Sequence, residues 1–304
     1  MHWFLIALAA PFLWSLTNIS DQYLVSKYST GERGSGGLVL FSSLIGIFAA
    51  VIIGFFVDGI FAIPILDKLL LVLSGIMMLL WVILYLFTLE IEDVSSVVPW
   101  FLTIPIFGYV LGCIFLGETL STQQFIGSLV ILSGASLISI DFSGEKKKFK
   151  WRPALYMLVA CFLVAIVGVI FKYVTTLGNF WVSSFWEYVG LGCAGIFVYI
   201  FIPKYRREFS LMNKSGGGKI FSLNTLSEVL TIAGNLLTNY ALLIAPVAMV
   251  YLVGSFQPAI VLFLTIMATK FFPHIVKENL DRCVLLPKML AIAVIVVGSV
   301  ILFV

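Results

Sequence analysis

Charge is what this chain has least of. Only 11% of its 304 residues are Asp, Glu, Lys or Arg, against about a quarter in a soluble globular domain. Histidine is nearly missing, with His2 and His274 alone, which leaves little for a histidine metal site or a catalytic triad. The four cysteines (Cys113, Cys161, Cys193 and Cys283) stand far apart in or beside apolar runs. Without CxxC or Cys/His spacing they read as thiols buried in helices. No GxxxxGK[ST] occurs, so a P-loop ATPase is excluded. The net charge of +3 is confined to loops and points to no nucleic-acid partner. No cofactor, metal or catalytic residue is expected.

What the chain has in quantity is apolar surface: 61% hydrophobic residues and a mean hydropathy of +1.13. Twenty-seven Phe, eleven Tyr and seven Trp suit lipid-facing helices and interfacial belts. A spanning helix needs about 20 apolar residues. Candidate spans are 3–26, 37–57, 66–88, 94–116 and 122–140, then 153–175, 180–202, 222–243, 246–271 and 284–304. The first run resembles a signal-peptide core but lacks a basic n-region and is long enough to span, so it reads as a membrane helix.

The expected fold is an all-α integral membrane protein with ten transmembrane helices, arranged as two inverted five-helix repeats. Its divisions are 1–141, a basic linker loop 142–152, and 153–304. A Tyr closes the third span of each half (Tyr85, Tyr240), a Pro breaks the fourth (Pro105, Pro258), and a Gly sits in the last (Gly134, Gly298). An odd helix number inverts the second repeat, an architecture common in secondary transporters. Of the 18 Lys and Arg, 16 fall in alternate loops, which places those loops in the cytoplasm and both termini outside. The basic run Lys146–Arg152 fixes topology or binds anionic headgroups.

The stretch 98–138, VPWFLTIPIFGYVLGCIFLGETLSTQQFIGSLVILSGASLI, resembles the EamA-type branch of the drug/metabolite transporter superfamily. The likeness rests on Pro105, on Leu116-Gly117-Glu118 and its short hairpin, and on Gly127 and Gly134. The resemblance implies a ten-helix permease with a path between the first four helices of each half. The second half departs from the pattern, since FFPHIVKEN with Glu278 replaces Gly-Glu. The family's usual cytoplasmic termini also oppose the charge distribution. By themselves, Gly117 suits a helix stop, Ser121 with Gln124 fits a capping box, and Glu118 reads as hairpin geometry or a gating contact.

Polar residues inside apolar spans are costly and therefore informative. On the eighth span Asn224, Glu228, Thr231, Asn235 and Thr238 keep helical spacing, with Asn239 beside them. This stripe reads as an aqueous path or as polar helix packing. Asn18, Asp21 and Gln22 share a face of the first span below Trp14. Glu187, beside Ser183 and Trp186 on the seventh, is either an ion-pair partner of Lys172 or a proton or substrate-amine site. Gln257 precedes Pro258, and Trp100 and Thr103 lie between Pro99 and Pro105, where a broken helix frees carbonyls for a ligand or simply kinks. Trp81 and Tyr85 are packing residues or pocket walls. The expected substrate path is therefore Asn18, Asp21, Trp81, Tyr85, Trp100, Glu187, Glu228, Thr231, Asn235, Asn239 and Gln257.

The acidic group Glu90, Glu92 and Asp93 faces no second cluster, as a diphosphate-binding prenyltransferase would require, and reads as a solvated loop. The expected function is a secondary transporter, permease or exporter, of a small polar or amphipathic metabolite by alternating access. Its partners are then the lipid bilayer (the plasma membrane), a small-molecule substrate, and a coupling proton or exchanged solute. A non-transporting scaffold or lipid-binding subunit, or a flippase for a lipid-linked substrate, are the alternatives.

Overall fold

The computed structural model describes residues 2–28, 35–92, 97–138, 151–176, 178–271 and 282–303. Among the described residues all regular structure is helical. Chain order gives α1 His2–Tyr28, α2 Gly36–Phe56 and α3 Ile65–Leu89. A 3-10 segment Val98–Thr103 leads into α4 Ile104–Leu111, which widens into a π turn Gly112–Leu116. Then come α5 Thr122–Ile138, α6 Trp151–Thr175, α7 Phe180–Phe201 and α8 Pro203–Ile244. The chain continues as α9 Val247–Val253, a 3-10 turn Gly254–Phe256, α10 Gln257–Phe271 and α11 Arg282–Phe303. Most of the linker 142–152, the hairpin with His274 and Glu278, and Asp93 lie outside the described residues.

Among the described residues, six segments are long and apolar enough to cross a membrane: Trp3–Val25, Gly36–Phe56, Ile65–Leu89, Trp151–Thr175, Phe180–Phe201 and Val247–Met267. Trp100–Leu116 and Leu286–Ile301 are shorter apolar helices. The stripe of amides and Glu228 lowers the apolarity of α8, and α5, with 17 residues, falls short of the about 20 a spanning helix needs. Outward faces are apolar: Phe55 is 83% exposed and Phe48 65%, a surface suited to hydrocarbon rather than water. The polar side chains are inside.

Local chemistry accounts for the helix ends. Gly117 adopts φ +63°, a left-handed stop that glycine makes without a Cβ clash. Ser121 and Gln124 close the capping box, with Ser121 N donating to Gln124 Oε1 (2.9 Å) and Gln124 N to Ser121 Oγ (3.2 Å). Pro105 and Pro258 each occupy the second position of an α segment that follows a 3-10 turn. There a missing N–H costs least, so the helix breaks before each proline and resumes from it.

One expectation is overturned by α8. Residues 203–221 read as a loop, yet the helix runs from Pro203 through Ser215-Gly216-Gly217-Gly218 without a stop. It is also not straight. Gly36 N donates to Glu208 Oε2 (3.0 Å), and Ser42 donates to Glu228. Six residues of α2 rise about 9 Å, whereas 20 residues of a straight α8 would rise about 30 Å. The helix therefore bends between these contacts, at the Ser-Gly-Gly-Gly run, where bends in helices concentrate. The arm before the bend buries Tyr205, Glu208 and Met212 at helical spacing and exposes Lys204, Arg206 and Lys214. Burial, and after it Glu208 and Glu90, push the Tyr205 phenol up to about 12, so it stays a neutral hydroxyl. Glu90, just past the end of α3, is exposed, and its carboxylate accepts the Ser35 N–H beside the start of α2.

The core forms where helices from the two halves interleave. α1 packs on α8, α3 on both α6 and α7, α2 on α7 and α8, α4 on α9, and α5 on α11. α3 and α7 cross backbone to backbone, since a Cβ on Gly75 would collide with Glu187 O and one on Gly190 with Val72 O. Small residues at such a crossing let helices approach closely in lipid. Gly134 meets Ala291 and Ile295, while Gly298 meets Gly127 and Ile131. Tyr85 and Tyr240 part company: Tyr85 is buried, while Tyr240 is 47% exposed and rests its ring on Phe180.

Candidate functional site

The polar residues of α1, α2, α3, α7 and α8 converge on one cavity of about 170 Å³, closed in part by the α9–α10 break. Among the expected residues, Asn18, Asp21, Trp81 and Tyr85 line it from the first half. Glu187, Glu228, Thr231, Asn235, Asn239 and Gln257 line it from the second. Trp14, Asn224 and Thr238 complete the same surface. Three carboxylates lie on the wall, and no Lys, Arg or His is among the described lining residues.

Glu187 reaches this wall because the Gly75–Gly190 crossing brings α3 against α7. Its side chain, 1% exposed, accepts from Ser74 Oγ and from Asn239 Nδ2, each at 2.9 Å. Neutral donors alone hold this carboxylate. Farther along α8, Glu228 accepts from Ser42 and lies within electrostatic range of Asp21. The Tyr85 hydroxyl donates to Asn18 Oδ1 (3.1 Å) and is within hydrogen-bonding reach of Asp21. Thr231 turns its hydroxyl to Ser227 O (3.0 Å) and approaches Thr17 Oγ1 at 3.5 Å, tying α8 to α1. Asn18 Nδ2 and Asn224 Nδ2 are buried and have no hydrogen-bond partner.

Two expectations need correction. Lys172 does not pair with Glu187. Its ammonium meets Glu118 Oε1 at 2.6 Å and donates to Ala245 O at 2.6 Å. Depth explains this: Lys172 sits one turn from the end of α6, whereas Glu187 sits two turns inside α7, an offset of about 5 Å. Trp100 does not line the cavity. It lies in the 3-10 segment, where residues three apart eclipse, so Phe101 and Ile104 share the cavity face and Trp100 points elsewhere. Its carbonyl accepts from Thr103 Oγ1 (2.7 Å) and Cys161 Sγ (3.2 Å).

Glu118 does more than shape a hairpin. Besides meeting Lys172, its Oε2 accepts from Val247 N at 2.7 Å, satisfying a donor at the start of α9 that would otherwise lack a partner. Sequence reasoning missed Ser42, one of the Ser42-Ser43 pair in α2, and Ser74, set apart from the other hydroxyls of α3. A hydroxyl within an apolar stretch was the available signal. Among the described residues no group of three His, Cys, Asp or Glu could hold a metal ion.

Comparison with known proteins adds the following. Residues 1–140 match the family model described as EamA-like transporter family. No curated protein matches the chain. One solved structure, described only as the crystal structure of a protein, is 14% identical and superposes with a TM-score of 0.69, covering 100% of this chain and 96% of that one. At that identity the likeness concerns the fold.

Proposed function

From the match of residues 1–140 to the EamA-like transporter family model, we propose that this integral multi-pass membrane protein is a secondary transporter of a small polar or amphipathic metabolite. The observation that carries the reading is the cavity. A polar stripe several turns long on α8 faces buried polar groups of four other helices across open space, with apolar surface outside. In hydrocarbon such residues need a partner or water, and a polar cavity at the meeting of two halves supplies a binding site.

Alternating access would come from two inverted five-helix repeats, 1–141 and 153–304. The packing supports this. Exchanging α1 with α6, α2 with α7, α3 with α8, and α4 with α9–α10 turns the α1–α8 contact into α3–α6. It likewise turns α2–α8 into α3–α7 and α4–α6 into α1–α10, and each of these contacts is present. The contacts α2–α7 and α5–α11 map onto themselves. The shared 3-10-to-proline breaks follow the same exchange. Glu228 and Glu187 are the carboxylates available to a coupling proton.

Cysteine scanning tests the path. In full-length protein, cysteines at 228, 231 and 235 should react with a water-soluble thiol reagent from one side of the membrane. Uniform protection of all three would leave a scaffold whose stripe serves helix packing.

A further inference from the structure

The cavity has a length as well as a charge, and the two together point to a class of ligand. Its carboxylates stand at two ends. At one, Glu187 is held by Ser74 of α3 and Asn239 of α8. At the other, Asp21 and Glu228 meet Tyr85 of α3 and Ser42 of α2. On α3 the step from Ser74 to Tyr85 is eleven residues, and on α8 the step from Glu228 to Asn239 is also eleven. Each corresponds to about 16 Å of rise. Two helices thus measure the same separation independently. Between the ends, Thr231 and Asn235 of α8 share the wall with an apolar and aromatic set, Met78, Trp81, Tyr188, Leu191 and Ile232.

No cationic side chain among the described lining residues balances the three acids, so the wall favours a positively charged occupant. The Asp21–Glu228 end carries a second mark. Asn18, 5% exposed, and Asn224, 2% exposed, each leave an amide terminus facing the cavity without a partner. A half-turn of either side chain exchanges its nitrogen for its oxygen. Both amides then offer an acceptor to an ammonium with three N–H donors. Aromatic faces beside the path also attract cations.

Resting on the transporter reading above, we propose that the substrate is a linear aliphatic diamine, one ammonium held between Asp21 and Glu228 and the other at Glu187, with the methylene chain against the apolar and aromatic set between them. Allowing about 3 Å for a hydrogen bond at each end, the two nitrogens sit roughly 10 Å apart. An extended chain of about eight or nine bonds spans that distance.

Equilibrium binding to the purified full-length protein in nanodiscs of neutral lipid tests this. The probes are 1,8-diaminooctane, 8-amino-1-octanol of the same length with one charge, and 1,3-diaminopropane, which is too short. The long diamine should bind at least about tenfold more tightly than either of the others. Glu187→Gln, which keeps an oxygen for Ser74 and Asn239, should bring it down to the level of the amino alcohol. Equal binding of the diamine and the amino alcohol by the wild type overturns the proposal, and so does the absence of binding by any amine. The wild-type series needs no variant to fold. Failure here alongside one-sided labelling of the α8 cysteines leaves a transporter of another substrate. Diamine binding with a protected stripe leaves a binding protein without turnover.

Discussion

Glu118 and Glu187 are both carboxylates removed from water inside a helical membrane protein, yet they are satisfied in opposite ways. Glu118, 15% exposed, meets a full positive charge on Lys172 and a backbone donor at Val247. It closes the junction between the first-half hairpin, α6 and the α8–α9 connection. Glu187 meets only a hydroxyl and an amide, and it faces open space. A charge paired with a charge is committed to holding the structure together. A charge given neutral donors keeps its Coulombic attraction for whatever enters the cavity. The residue that resembles a family motif is therefore the one of the two that joins helices, while Glu187, outside that motif, faces the cavity.

The comparison can be broken most forcefully at Glu118. Glu118→Gln leaves Lys172 facing a neutral group and should cost about 3 kcal/mol or more, read as a lower thermal unfolding midpoint of the purified protein. Adding Lys172→Met should recover part of the loss. A midpoint unmoved by the single change would mean the pair contributes nothing. A smaller effect is expected at Gly75, where alanine would press into the backbone of Glu187 and Leu191. A cost of about 1–3 kcal/mol follows from the overpacking, and uptake should fall with it because the crossing positions Glu187. Full uptake by Gly75→Ala would show that the close approach is dispensable. The smallest effect on stability belongs to Glu228→Gln, under about 1 kcal/mol, since Ser42 can donate to an amide oxygen as well. Its consequence should appear in the pH dependence of uptake into proteoliposomes. Full transport with an unaltered pH profile would remove Glu228 from coupling.

Much of this was legible in the sequence because hydrocarbon is an unforgiving solvent. A polar residue that survives in an apolar run has a reason, and the stripe Asn224–Asn239, Asp21 and Glu187 met on one cavity as a result. The capping box at Ser121 and Gln124 and the broken helices at Pro105 and Pro258 follow from local backbone chemistry, which needs no knowledge of neighbours. The Lys172 partner was misread because nearness along the chain stood in for nearness in depth, and Glu118 is 54 positions away. Trp100 was misplaced because its face depends on a 3-10 rather than an α pitch, which residue spacing alone does not declare. The first arm of α8 fell between the apolar spans because residues 203–221 are rich in basic and polar side chains, and three consecutive glycines there disfavour helix by about 1 kcal/mol each. Burial of Tyr205, Glu208 and Met212 against the start of α2 overrides that preference.

That glycine run has a mechanical meaning. Two points on a single helix grip α2 a few residues apart, one at Glu208 near its start and one at Glu228 beyond its middle, with the glycine run between them. Such a helix behaves as a jointed strut rather than a rod. The arm's hold on the start of α2 and the stripe's hold on Ser42 are thus separate attachments, made on either side of that run. Stiffening the joint would couple the two grips and transmit every movement of the stripe directly to the arm.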